Sequence, residues 1–186
     1  MRLVLGITGA TGIASAISLM KRSPWPIWLI ISRHGKIVLE KEECKYEELI
    51  KNAEKVFEDD DMAAPIASGS TPTLGMIILP CTTNTLAKVS NGIADSLITR
   101  AAHCHLKEKR KLVLCVRESP WSHIDFLNAA KVSSAGAVVM PLSIPYYFFR
   151  GRAPDTVTMS ETFEVFADRV LQQFGDDNGR YWSDSK

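Results

Sequence analysis

No apolar run in this chain approaches the roughly 20 residues that a membrane-spanning helix requires. The start lacks the features of a secretory signal, since Leu3 to Leu5 runs directly into glycines. Excess charge of one sign is missing too. Lys and Arg total 22 against 21 Asp and Glu, a formal +1, so no basic field argues for nucleic acid. The four cysteines, Cys44, Cys81, Cys104 and Cys115, have neither metal-type nor disulfide-framework spacing. Reduced thiols in a cytoplasmic protein are the expectation. Repeats and linkers are absent. Asp59-Asp60-Asp61 reads as a solvated turn rather than a magnesium-type carboxylate cluster, and no metal site is expected. What remains is 46% hydrophobic and 23% charged residues in 186, the balance of a globular domain with a sizeable core. One domain is expected over 1–175, followed by a polar tail over 176–186.

Hydrophobic patterning then gives the elements. Strands are expected over Val4–Thr8, Pro26–Ser32, Gly75–Pro80, Lys111–Val116 and Ala137–Pro141. Their continuous apolar runs suit strands buried on both faces. Helices are expected over Ile13–Lys21, Gly35–Glu43, Tyr46–Val56, from near Leu86, and over Asp95–Lys109, Ser122–Ala135 and Ser160–Phe174. Ser122 and Ser160 are the expected N-caps of the last two, with Glu161 in the first turn of the final helix. Alternating strands and helices argue for an α/β fold, a doubly wound, Rossmann-like parallel sheet in three layers.

Three clusters at expected strand ends carry chemistry. Gly6-Ile7-Thr8-Gly9-Ala10-Thr11-Gly12 breaks a strand into a glycine turn and a helix, the usual shape of a phosphate cradle. The nicotinamide fingerprint would place a further glycine where Ser15 stands, and no Tyr-x-x-x-Lys pair occurs, so a nucleotide other than a nicotinamide is favoured. Pro80-Cys81-Thr82-Thr83-Asn84-Thr85 offers hydroxyls at another helix start, and Ser32 ends a strand on the same edge. The third cluster is cationic. Arg100 and Lys107 are seven apart on one helix and so share a face, and Arg117-Glu118 follows a buried strand. His103-Cys104-His105 diverges around a helix and is not a metal tract. His34 and His123 read as surface groups. The apolar run Tyr146-Tyr147-Phe148-Phe149 suggests a pocket wall or a subunit contact.

These residues together resemble the UbiX-type flavin prenyltransferases. The likeness is carried by GITGATG, PCTTNT, the block from Leu97 to Pro120, and the segment from Gly136 through Tyr146-Tyr147, and it resumes at Arg169-Val170-Leu171. The resemblance implies a flavodoxin-like domain that assembles into homododecamers, with reduced FMN as prenyl acceptor and dimethylallyl phosphate as donor. It further implies that the product, prenylated FMN, serves a UbiD-type decarboxylase, and that a flavin reductase supplies the reduced flavin. By the same resemblance Gly9, Ala10, Thr11, Ser32, Thr82, Thr83, Asn84, Thr85 and Arg117 hold FMN. Arg100, Lys107, Tyr147 and Arg169 hold the prenyl phosphate, partly from adjacent subunits. Glu42 and Glu118 are active-site glutamates, with Glu118 the first candidate for proton handling and Thr11 beside the reacting centre. Tyr146 is an alternative to Tyr147, and Arg150 or Arg152 could supplement the cations. Two rival readings share the fold: an FMN carrier without chemistry, and a flavin-dependent decarboxylase of cysteinyl compounds. The rival decarboxylase's histidine and Met-Asn motif are missing here.

Overall fold

The computed structural model describes residues 1–180. The distal part of the expected polar tail, 181–186, lies outside the described residues. Six parallel strands form one sheet: β1 (Leu3–Ile7), β2 (Ile27–Ile31), β3 (Lys55–Glu58), β4 (Gly75–Cys81), β5 (Lys111–Val116) and β6 (Val138–Val139). Their spatial order is β3-β2-β1-β4-β5-β6. The helices are α1 (Ile13–Arg22), α2 (Arg33–Lys41), α3 (Tyr46–Lys51), α4 (Thr83–Ser90), α5 (Leu97–Lys107), α6 (His123–Ser134) and α7 (Met159–Leu171).

Every residue of β1 and β4 is buried, which is why their sequences read as unbroken apolar runs. Alternate residues feed two cores. Leu3, Leu5, Ile7, Ile77, Leu79 and Val113 pack with Ile13, Ile17 and Leu19 of α1, Leu39 of α2, Leu49 of α3, and Phe166 and Val170 of α7. Val4, Met76, Ile78, Leu112 and Leu114 pack with Leu86 of α4, Ile98 and Ala101 of α5, and Val132 of α6. This is the three-layer, doubly wound arrangement expected.

Several elements differ from the sequence reading. The expected helix Tyr46–Val56 is α3 followed by β3, an edge strand of which only Phe57 is buried. One apolar anchor in four residues is too little to signal a strand. Helix α4 starts at Thr83, not near Leu86. Helix α7 starts at Met159 with Thr158 as N-cap, replacing Ser160, and Glu161 closes the capping box. Strand β6 keeps only two residues.

His105, expected to diverge from its neighbours, is buried in α5 at 2% exposure. Nδ1 lies 2.7 Å from the Ala101 carbonyl and Nε2 2.8 Å from Thr73 Oγ1. The carbonyl can only accept, so Nδ1 carries the proton and Nε2 accepts from the hydroxyl. Burial pushes the ring pKa down to about 4, with a smaller contribution from Arg110. The unfolded chain takes up a proton below its ordinary pKa of about 6.5, which the folded ring refuses until about pH 4. The His105 contribution is therefore complete above that upper value and is lost as pH falls through the window, on the order of 3 kcal/mol. Denaturant midpoints measured from pH 7.5 to 4.5 should fall more steeply for the parent protein than for His105→Gln. Parallel curves would show that His105 does not set this acid sensitivity.

Candidate active site

The chain leaves β1 on one face of the sheet and β4 on the other, so a crevice opens where β1 and β4 end side by side. Thr8 stitches the two ends. Its N–H and its hydroxyl both donate to Pro80 O, at 3.2 and 2.9 Å, and its Oγ1 accepts from Thr82 N at 2.9 Å. The β4–β5 register shifts between Ile78 and Cys81, which sets the chain into the Thr82 loop. Three helices begin around this crevice, each with a side-chain cap. Ser32 accepts from Gly35 N, Thr82 from Thr85 N, and Ser96 from Thr99 N. The result is a cavity of about 370 Å³ lined by Thr8, Gly9, Ser32, His34, Asp59, Thr82, Asn84, Thr85, Lys88, Ser96, Ile98 and Thr99. Thr82 and Thr85 hydroxyls pair at 2.9 Å. Hydroxyls, an amide and helix N-termini together suit a phosphorylated polyol.

Gly9 is needed here for lack of a side chain. A Cβ on it would come 2.6 Å from His34 Cβ, so only glycine lets the β1 turn lie against the start of α2. Gly12 caps α1 at φ +100°. The phosphate cradle expected at the start of α1 is not available, however. Glu42 Oε1 accepts from Gly12 N at 2.6 Å and Oε2 from Ile13 N at 2.9 Å. A carboxylate from the end of α2 thus fills the place an anion would take. The first cavity lies on the Ser32 and Thr82 side of the turn, and Gly9 forms a wall of it.

Glu42 instead belongs to a second cavity, of about 500 Å³, across the same glycine turn. Thr11, Gly12, Cys44, Arg117, Leu142, Ile144, Met159, Thr162, Phe163 and Phe166 also line it. Here one fixed carboxylate, one guanidinium and the hydroxyl residues Thr11, Ser143 and Thr162 share a lining with a largely apolar wall. Such a site holds a charged head while keeping water from the rest.

The remaining expected residues are dispersed. Ala10 is buried in the turn, and Thr83 opens α4 without lining the first cavity. Glu118 lies on the exposed loop after β5, its carboxylate accepting from Ser119 N at 3.0 Å, and joins neither cavity. Arg100 and Lys107 do share a face, as their spacing implied. They meet not at the crevice but at the loop 67–71. Arg100 Nε donates to Ala67 O at 2.9 Å. Lys107 Nζ, paired with Glu108, lies 2.5 Å from where a Cβ on Gly69 would stand. Arg110 binds the Thr71 and Gly69 carbonyls of the same loop. Tyr147 sits on a 3-10 turn, Tyr146–Phe149, its ring tilted 41° against that of Phe148 with centroids 4.4 Å apart. Arg169, late in α7, donates to Gln172. Arg152 does not supplement these cations, because its guanidinium is taken by Glu161 and Thr156 O.

Sequence reading missed six residues of the first cavity: His34, Asp59, Lys88, Ser96, Ile98 and Thr99. Asp59 is half-buried, with Oδ1 accepting from Ile98 N at 2.9 Å, and burial pushes its carboxyl up. In the sequence it hides in a run of three acids whose other two members are exposed. His34 is exposed yet lies two residues past Ser32, and that offset from a strand end was the available signal. Among the described residues no group of three or more His, Cys, Asp or Glu is placed to hold a metal ion. No described helix is long and apolar enough to cross a membrane.

Comparison with known proteins identifies the family and the fold. The Flavoprotein family model matches residues 1–164. The flavin prenyltransferase UbiX of Deinococcus radiodurans is 40% identical over 178 residues, covering 94% of this chain and 88% of that protein. The crystal structure of AnUbiX in complex with FMN and dimethylallyl pyrophosphate superposes with a TM-score of 0.88 at 34% identity, covering 97% of this chain and 96% of that one. A dodecameric FMN-dependent UbiX-like decarboxylase from Escherichia coli O157:H7 also gives 0.88 at 34% identity, over 97% and 98%. The chain therefore belongs to the Flavoprotein family and, within it, to the UbiX flavin prenyltransferases.

Proposed function

We propose that this protein transfers a dimethylallyl group from dimethylallyl phosphate, or its pyrophosphate, to reduced FMN. The observation that carries this reading is the pair of cavities on either side of the Gly9–Gly12 turn. The polyol-phosphate cavity lies on one side, and the apolar cavity with Thr11, Glu42 and Arg117 lies on the other. A carrier that only stored FMN would have no use for the second. The residues present fit the flavin. Ser32, Thr82, Asn84 and Thr85 supply donors for the ribityl phosphate, Asp59 and Thr99 supply partners for ribityl hydroxyls, and Gly9 leaves room at the turn. Thr83 and Ala10 act on this site only through the backbone of their loops.

Reduced FMN, when bound, supplies the electron-rich ring nitrogen and carbon that accept the allyl group. The protein must do the rest. Breaking the allylic C–O bond leaves its electron pair on the phosphate, which cationic donors must neutralise, and the allyl fragment must be kept from water. Arg117 faces the second cavity for the first task, and Ile144, Phe163 and Phe166 serve the second. The ring-closing step releases a proton, which a nearby carboxylate or the departing phosphate takes. Glu42 is the carboxylate within the cavity. Glu118 sits on the exposed loop beside Arg117 and is assigned the more peripheral part.

Arg100, Lys107, Tyr147 and Arg169 are assigned to the donor phosphate as contributions between subunits. Arg100 follows Ile98 and Thr99, which line the first cavity, but its Nε donates to Ala67 O, and Lys107 lies about two turns further along α5. Neither side chain lines the crevice of its own copy. The dodecameric relative supports an assembly in which a neighbour brings them there. On this reading a UbiD-type decarboxylase receives the product, a separate flavin reductase supplies the acceptor, and the protein works in the cytoplasm.

Anaerobic incubation with reduced FMN and dimethylallyl phosphate should yield a flavin heavier by one five-carbon unit in the mass spectrum. Unchanged FMN with both phosphate donors would overturn the assignment. Gly9→Ala should weaken FMN retention about tenfold or more, read from flavin absorbance after gel filtration, because the new methyl drives His34 away from the turn. Glu42→Gln should keep FMN but lose about 100-fold in turnover. Equal loss of FMN and turnover would mean that Glu42 acts only as the cap of α1.

A further inference from the structure

The donors assigned to the flavin phosphate in the first cavity, Ser32, Thr82, Asn84 and Thr85, are all neutral. The same cavity holds a carboxyl of its own, that of half-buried Asp59, which accepts from Ile98 N at 2.9 Å. A phosphate monoester brings about 1.5 to 2 negative charges at neutral pH. Hydroxyls and helix N-termini solvate such a group but leave most of its charge uncompensated. Arg117, a cation expected at the flavin, lines the second cavity instead.

Lys88 is the only Lys or Arg among the residues lining the first cavity. It stands four residues after Asn84 on α4 and so on the same face, and Asn84, Thr85 and Lys88 all line the cavity. Leu86 and Val89 of the same helix pack into the core. The Lys88 ammonium pairs with Asp95 Oδ2 at 2.7 Å, and the two side chains are 32% and 51% exposed. An ion pair so open to solvent is worth little, so a phosphate in the cavity competes for the lysine at small cost. Asp95 directly precedes Ser96, which lines the cavity, and its Oδ1 lies 3.4 Å from the hydroxyl of Thr99, which does so too. The pair thus keeps the ammonium beside the cavity. A compact charge on a flexible four-carbon stem suits the exchange of one anionic partner for another.

We propose that Lys88 is a cofactor-binding residue whose ammonium leaves Asp95 for the FMN phosphate when the flavin binds. This rests on the reading of the first cavity as the ribityl-phosphate site and deepens it, because a cationic contact makes the site selective for phosphorylated flavin over riboflavin.

The test titrates the full-length protein, stripped of flavin, with FMN and with riboflavin, and reads binding from flavin fluorescence. The parent should prefer FMN. Lys88→Gln should weaken FMN binding about tenfold or more and leave riboflavin binding within about twofold of the parent, the second result also reporting that the variant is folded. Lys88→Arg, which keeps the charge, should retain most of the FMN affinity. Raising the ionic strength should weaken FMN binding more in the parent than in Lys88→Gln. FMN binding unchanged in Lys88→Gln, or equal losses for FMN and riboflavin, would overturn the role of Lys88 while leaving the cavity reading standing. A parent that binds riboflavin as tightly as FMN would show that the first cavity does not recognise a phosphate, and would overturn that reading and the proposal with it.

Discussion

The site depends on Thr8. Its hydroxyl donates to Pro80 O and accepts from Thr82 N, so one buried side chain joins the ends of the two central strands. These are the strands at which the chain changes faces of the sheet. Two hydrogen bonds to one hydroxyl are worth only about 1–3 kcal/mol together. Their value lies in geometry, because they fix the Gly9 turn against the Thr82 loop. The caps at Ser32, Thr82 and Ser96 then aim three helix starts at one crevice. Without that stitch the same caps would stabilise three helices and no site.

A second constraint follows from the first. The Gly9–Gly12 turn is shared by two cavities, so it cannot offer the start of α1 to a ligand on both sides. Glu42 resolves this by spending both carboxylate oxygens on the Gly12 and Ile13 amides. An anion near those amides is favourable in any case, and here the protein supplies its own. The first cavity is thereby kept on the Ser32 side, and the second cavity gains a carboxylate held at two points. A carboxylate so fixed is positioned for a proton without having to reorganise.

Legibility in the sequence followed burial. Strands β1, β2, β4 and β5 were read because both faces are covered and nearly every residue is apolar. Strand β3 was not, because an edge strand with Phe57 as its only buried residue has no pattern to read. Strand β6 was overextended for the opposite reason, since Ala137 to Pro141 is apolar but pairs over only two residues. The loops at the crevice were legible from glycine and threonine at strand ends. Asp59 and His34 were not, because their place in the cavity comes from β2 and β3 lying side by side. Glu42 entered through family likeness, and no sequence pattern announces that its carboxylate folds back to cap a helix 29 residues upstream.

The dispersal of the cationic residues is itself informative about assembly. Arg100 donates to the Ala67 carbonyl and Lys107 pairs with Glu108, and neither lines the crevice. A donor phosphate that needs both these cations and the Thr11–Glu42–Arg117 cavity must lie between two copies. Ile124, Phe126 and Leu127 of α6 are 68%, 59% and 57% exposed, a clustered apolar face that a lone chain would leave wet. On the proposed reading the oligomer is therefore a condition of catalysis, because each copy carries a flavin cavity and the phosphate clamp of a different one.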